Sequence, residues 1–182
     1  VADPNIFSMS QRITLAQTQL QIATSNPQLH NMYQIYRNMY NAIGVKDVDA
    51  VLPPPAPTAP MDPSMEHINA MAGKPFQAFP GQDHRAHITA HLNFMSTNMV
   101  RNNPMIMAAI QKNILEHISI MAQEQIQLEF REQMQQMMQM QQMAATNPQV
   151  QAQLQQMTNA VEARKATLIA EMTEEYMKEE KK

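Results

Sequence analysis

Apolar positions recur at spacings of three and four along most of the chain, the periodicity of amphipathic α-helices. The longest uninterrupted tract runs from Asn103 to Ala145, opened by Asn103-Pro104 and closed by Thr146-Asn147-Pro148. No Gly or Pro follows Pro104 within it, which predicts one helix of about 60 Å at roughly 1.5 Å per residue. Its first half carries an apolar stripe of Ile106, Ile110, Ile114, Met121 and Leu128. Its second half replaces that stripe with an eleven-residue block, Gln133 to Met143, made only of glutamine and methionine. A helix that loses its buried face partway along is expected to project toward something outside its own domain.

Five Asp-Pro or Asn-Pro steps punctuate the chain, at Asp3-Pro4, Asn26-Pro27, Asp62-Pro63, Asn103-Pro104 and Asn147-Pro148. The first side chain can accept from free helix N–H groups, and proline at the next position has no N–H to satisfy, so each step proposes a helix start or a turn. A first helix is predicted from Ser8 or Ser10 to Thr24, burying Met9, Ile13, Ala16, Leu20 and Ala23, with Leu15 and Ile22 widening the stripe. A second is predicted from Pro27 to about Ile43, with Gly44 as C-cap, and Asp47–Leu52 reads as a short helical turn. Pro53 to Pro60 reads Pro-Pro-Pro-Ala-Pro-Thr-Ala-Pro, a stiff, solvated spacer that can form neither helix nor paired strand. A PxxP ligand is formally possible there, without a basic residue nearby to support it.

Beyond the spacer, Asp62–Ala72 predicts a short helix ended by Gly73, followed by an extended segment that Phe76 and Phe79 anchor. Gln82 or Asp83 caps a helix to about Met99, and the long tract follows. A last helix is predicted from Pro148 to about Met177, with Val150, Leu154, Met157, Val161 and Leu168 at heptad-like spacing, then Met172 and Tyr176. The expected fold is all-α. Its segments are a helical hairpin at 1–52, a Pro-rich linker at 53–63, short helices with a His-bearing helix at 64–102, and a long C-terminal helical hairpin at 103–182.

Composition sharpens this picture. The chain of 182 residues has only 3 Gly against 12 Pro, which argues against an all-β barrel or sandwich. Its apolar content leans on 19 Met rather than on aromatic residues. The absence of cysteine removes disulfide and thiolate chemistry, and no stretch approaches a membrane span or a signal peptide, so no membrane partner is expected. The first residue, Val1, is expected of a processed product or a piece of a longer polypeptide. Net charge is −3, and the basic residues cluster only at Arg164-Lys165 and Lys181-Lys182. A grip on nucleic acid needs convergent phosphate contacts, and one chain does not offer them.

Candidate chemistry is sparse. Asp83 precedes His84, His87 and His91, which stand at i, i+3 and i+7 and so share one helix face. Three imidazoles could hold a transition metal, yet no glutamate lies between them as in a hydrolytic zincin, and no catalytic carboxylate is placed nearby. The other reading is a polar face that hydrogen-bonds a neighbouring helix or titrates near neutrality. Nucleophile motifs and Gly-rich phosphate loops are absent, and the acidic pairs Glu174-Glu175 and Glu179-Glu180 lie in a lysine-bearing tail. No enzyme and no cofactor are expected. The Met/Gln block offers Met134, Met137, Met138, Met140, Met143, Gln135, Gln139 and Gln142 as candidates for an oligomer interface or channel lining. It opens a tract from Gln133 to Val161, 29 residues without one charged side chain. Such a tract reads as an adaptable packing surface, as aggregation-prone low complexity, or as a neutral lining that touches a polyanion without holding it.

Several strings occur in a recognisable order: Asp3-Pro4-Asn5-Ile6-Phe7 through Arg12, Asn26-Pro27-Gln28-Leu29-His30, and Tyr36-Arg37-Asn38-Met39-Tyr40 to Val45. Met61-Asp62-Pro63-Ser64-Met65-Glu66 and Phe79-Pro80-Gly81-Gln82-Asp83-His84 to Ile88 follow. Across roughly residues 2–100 this order resembles the C-terminal third of portal proteins, the head-to-tail connectors of tailed bacteriophages. The later Met/Gln helices are similar in style only. The resemblance implies a virion protein assembled in the host cytoplasm as a ring-shaped homo-oligomer, commonly a dodecamer, at one capsid vertex. It implies a DNA entry and exit channel for packaging and ejection. The implied partners are the remainder of the portal polypeptide, capsid and neck or adaptor proteins, the packaging terminase through the full portal, and double-stranded DNA. The last two helices would build a crown or barrel. The stem and clip of a portal have no counterpart in these residues. The alternative is a helical coiled-coil assembly or scaffolding protein that self-associates through the Met/Gln segment.

Overall fold

The computed structural model describes residues 8–182, which form nine α-helices, one short 3-10 turn and no strand. The start proposed at Asp3-Pro4 lies outside the described residues. Two compact units divide at Ala56/Pro57, inside the Pro-rich segment, which forms neither helix nor strand.

In the first unit, α1 (Met9–Ser25) opens with a reciprocal cap: Gln11 N donates to Ser8 Oγ and Ser8 N donates to Gln11 Oε1. Only its alanines are buried, Ala16 and Ala23, where a small side chain lets α2 (Met32–Ala42) approach with Ile35. Ile13 and Leu20 are half-buried, whereas Met9, Leu15 and Ile22 are exposed, so the stripe is narrower than expected. Asn26-Pro27 starts only the 3-10 turn Pro27–Leu29, and the true cap of α2 is Asn31, which accepts from Gln34 N. Gly44 at φ 82° closes α2 with bonds from Gly44 N to Asn41 O and from Val45 N to Tyr40 O, the two-bond left-handed cap. Arg37 then pairs with Asp49 of α3 (Val48–Val51).

The second unit is built around α7 (Pro104–Glu129), against which α4 (Pro63–Met71), α5 (His84–Met95), α6 (Asn98–Arg101), α8 (Arg131–Ala144) and α9 (Pro148–Glu180) all pack. Asp62, Asn103 and Asn147 cap α4, α7 and α9 with Pro at the first helical position, as the dipeptides predict. The helix capped by Asp83 stops at Met95 rather than Met99, and α6 follows as a separate turn. Along α7 the buried positions are Ile106, Ile110, Asn113, Ile114, His117, Ile118, Ala122 and Ile126. Leu128 is 63% exposed, so the stripe runs through Ile126 and not to Leu128.

One core gathers Ile88, Met95, Val100, Ile110, Ile114 and Ile118 with Tyr176 from α9. A second gathers Ala122, Ile126, Val161 and Leu168 beside Phe130, Met134 and Met137. The single long helix expected at 103–145 is two helices. Phe130 leaves helical geometry (φ −112°, ψ 23°) while its ring packs on the second core. Tertiary packing at Phe130 overrides a sequence with no Gly or Pro to mark a break.

Glu129 and Arg164 stand on opposite sides of the Asn147 turn, and Arg164 grips Glu129 with two bonds of 3.0 and 3.1 Å. That pairing makes α9 run antiparallel to α8 and return along α7.

Candidate functional site

Asp83 starts α5 by accepting from Ala86 N, which sets His84, His87 and His91 on the face turned toward α4 and α7. All three are buried, and two more elements complete the group. Glu66 of α4 and His117 of α7 have no exposed surface. Glu66 Oε2 lies 3.2 Å from His87 Nδ1 and 3.1 Å from His91 Nε2. Glu66, His87, His91 and His117 each present one donor atom, all within 4.8 Å of one another. A carboxylate thus stands among the histidines, delivered from a different helix.

A second layer holds these rings. His84 Nδ1 stands 2.8 Å from His117 Nδ1, and His84 Nε2 is 3.4 Å from Glu124 Oε1. His91 Nδ1 lies 2.9 Å from His67 Nε2, and His67 stacks on Phe94 at a centroid distance of 4.0 Å. His91 Nε2 is also 2.8 Å from Asn113 Oδ1, while Asn113 Nδ2 donates to Glu116 Oε2. Glu116 and Glu124 accept from Ala78 N and Gly81 N, fastening the segment that precedes α5 onto α7. Phe76 of the same segment packs on the first core.

Burial favours the neutral imidazole, because a charged ring loses hydration there. Desolvation, helped by the neighbouring His87, pushes His117 down to about 3. Desolvation, with His91 second, pushes His67 down to about 4. Both rings are neutral at pH 7, the form that binds metals and relays hydrogen bonds. Two buried atoms in the cluster, Glu66 Oε1 and His117 Nε2, have no hydrogen-bond partner among the described residues. An orphaned buried polar atom costs about 1–3 kcal/mol, so two in one cluster require a cause.

Glu66 and His117 did carry a sequence signal. His117 falls three and seven residues after Ile114 and Ile110, and Glu66 four before the buried Ala70, so both are polar residues on apolar stripes. His84, singled out with His87 and His91, sits outside the four-residue group and supports His117 from behind.

The Met/Gln block has a divided character. Met134 and Met137 are half-buried on the second core, and Met140 is half-buried further along α8. Met138 and Met143 are 69% and 54% exposed, and Gln135, Gln139 and Gln142 face solvent. Asn147, which accepts from Gln149 N, starts the returning α9. No helix among the described residues is long and apolar enough to cross a membrane. Comparison with protein-family models, curated proteins and solved structures finds no match.

Proposed function

We propose that the chain is the helical C-terminal part of a phage portal ring, a structural virion protein that lines the DNA channel at a capsid vertex without catalysis. One observation carries this reading: the α8–α9 hairpin holds a 29-residue charge-free tract and leaves Met138 and Met143 bare. Methionine adapts to irregular neighbours, and a second copy of the chain is the natural cover for such a face. The order of the strings from Asp3 to Ile88 supplies the portal assignment, and the two long C-terminal helices suit a crown or barrel. A neutral lining suits a conduit, since DNA held by many lysines would bind in a salt-dependent grip rather than pass. The ring, its subunit number, and its capsid, adaptor and terminase partners belong to this proposal.

A coiled-coil scaffold is the second reading. It draws on the heptad-like positions of α9, but Val161 and Leu168 are already buried within the chain's own second core. That leaves less of the seam for a partner helix. Electron microscopy or mass photometry of the intact assembly separates the two. A closed ring of fixed subunit number is expected, and a dimer or polydisperse species would reject the portal reading.

A further inference from the structure

We infer that Glu66, His87, His91 and His117 form a structural site for a divalent transition metal of the zinc class, one ion per chain. The site stands on side chains of the second unit alone and holds whether or not the chain is part of a portal. Three observations carry it.

The first is the donor set. Three imidazole nitrogens and one carboxylate oxygen are the ligands a borderline ion prefers, and four protein ligands close a tetrahedral site. His87 and His91 lie at i and i+4 on α5, one turn apart on a single face, while Glu66 and His117 reach in from α4 and α7. Donors at about 2.0–2.1 Å from a tetrahedral ion stand about 3.3 Å apart. The Glu66 oxygen already lies 3.2 and 3.1 Å from its two imidazole nitrogens. The widest separation in the group, 4.8 Å, closes by about 1.5 Å through small ring movements.

The second is an orphaned ligand atom: His117 Nε2 is buried in the cluster and has no hydrogen-bond partner among the described residues.

The third is the direction of the hydrogen bonds. With its proton on Nε2, His84 donates to the Glu124 carboxylate and accepts at Nδ1. His117 donates to it from Nδ1, which leaves the lone pair of His117 Nε2 bare. A carboxylate-to-histidine relay that exposes one imidazole lone pair is the usual support of a metal-bound histidine. All four ligands are protein groups with almost no exposure, so no position is open for substrate. The ion ties α4, α5 and α7 together rather than performing hydrolysis.

The test uses the full chain, stripped with chelator and reloaded with Zn(II) or Co(II). One equivalent of zinc per chain is expected, with a raised melting temperature, and Co(II) should give the intense visible bands of four-coordinate cobalt. Glu66→Gln and His117→Gln should each lose the stoichiometric ion while retaining helical circular dichroism, and His30→Gln, in the first unit, should keep it. His84→Asn, a change in the supporting layer, should weaken affinity by about 10–100-fold. Absence of stoichiometric metal in the reloaded wild type, or weak six-coordinate cobalt bands, would overturn the site. Equal metal content in the wild type and in Glu66→Gln would do the same. The cobalt spectrum of the unmutated chain decides the matter even if a variant fails to fold.

Discussion

The two helices of the segment 104–144 are made from the same helix-forming vocabulary and do opposite things with it. α7 commits a stripe of β-branched isoleucines to the interior, with Ile110, Ile118 and Ile126 at or near zero exposure. α8 contains no buried residue at all. Isoleucine is stiff at χ1 and packs in one way, whereas methionine has three flexible bonds and accepts many partners. Rigid packing on α7 also explains why a polar cluster can sit in that interior. Surrounding isoleucines fix α4, α5 and α7 so that five histidines and a glutamate keep their spacing. On α8 no residue is buried, and Met138 and Met143 stay exposed.

Mutation should expose this asymmetry most strongly in the core. Ile110→Ala or Ile118→Ala is expected to destabilise the second unit by about 2–5 kcal/mol through cavity formation, while Met138→Ala should change it by no more than about 0.5 kcal/mol. Urea unfolding followed by circular dichroism measures both, and similar midpoint shifts would erase the distinction.

Acidity should strike the α7 side next. In metal-free protein, His67 and His117 are held near 4 and 3, below the ordinary 6.5, so the unfolded chain binds more protons than the folded one at mildly acidic pH. Stability conferred by the neutral rings is complete above about 6.5 and falls as pH drops toward 4 and then 3. Thermal melts between pH 7.5 and 4.5 should show the second unit holding level down to about 6.5 and weakening below it. A flat profile would contradict the burial of these rings.

Helix caps come after that. Asn103 accepts from both Met105 N and Ile106 N, and Asn103→Ala should cost about 1 kcal/mol. A loss at Asn103 no larger than that of a surface control would show that packing of α7 makes the cap redundant.

The smallest effect belongs to the clamp between the halves. Arg164→Met removes a solvent-facing partner of Glu129, and only a slight, salt-sensitive loss is expected. Hydrogen bonds from Arg164 hold Glu129 at about 2, so this pair contributes above the ordinary carboxylate range and fades as pH falls from 4.5 toward 2.

Periodicity and Asn-Pro or Asp-Pro steps made the all-α architecture legible, because caps and apolar stripes are local. Asp62, Asn103 and Asn147 carry their function within three residues of themselves. Phe130 does not: its departure from helix answers to Val161 and Leu168, more than thirty residues away, and leaves no local mark. The candidate site divides the same way. His87 and His91 were visible as one face of one helix, whereas Glu66 and His117 join them only when three helices converge. Their placement on apolar stripes was the available clue, and it becomes meaningful only when polar residues on a buried face are weighed as ligands.

On the proposed reading, the α8–α9 hairpin is completed by other copies of the chain around a channel. Mass photometry of the purified assembly, beside a Met138→Glu/Met143→Glu variant, tests it directly. One closed species of fixed subunit number is expected for the wild type, and smaller particles with unchanged helical content for the variant. A stable monomer with the hairpin folded in isolation would contradict it.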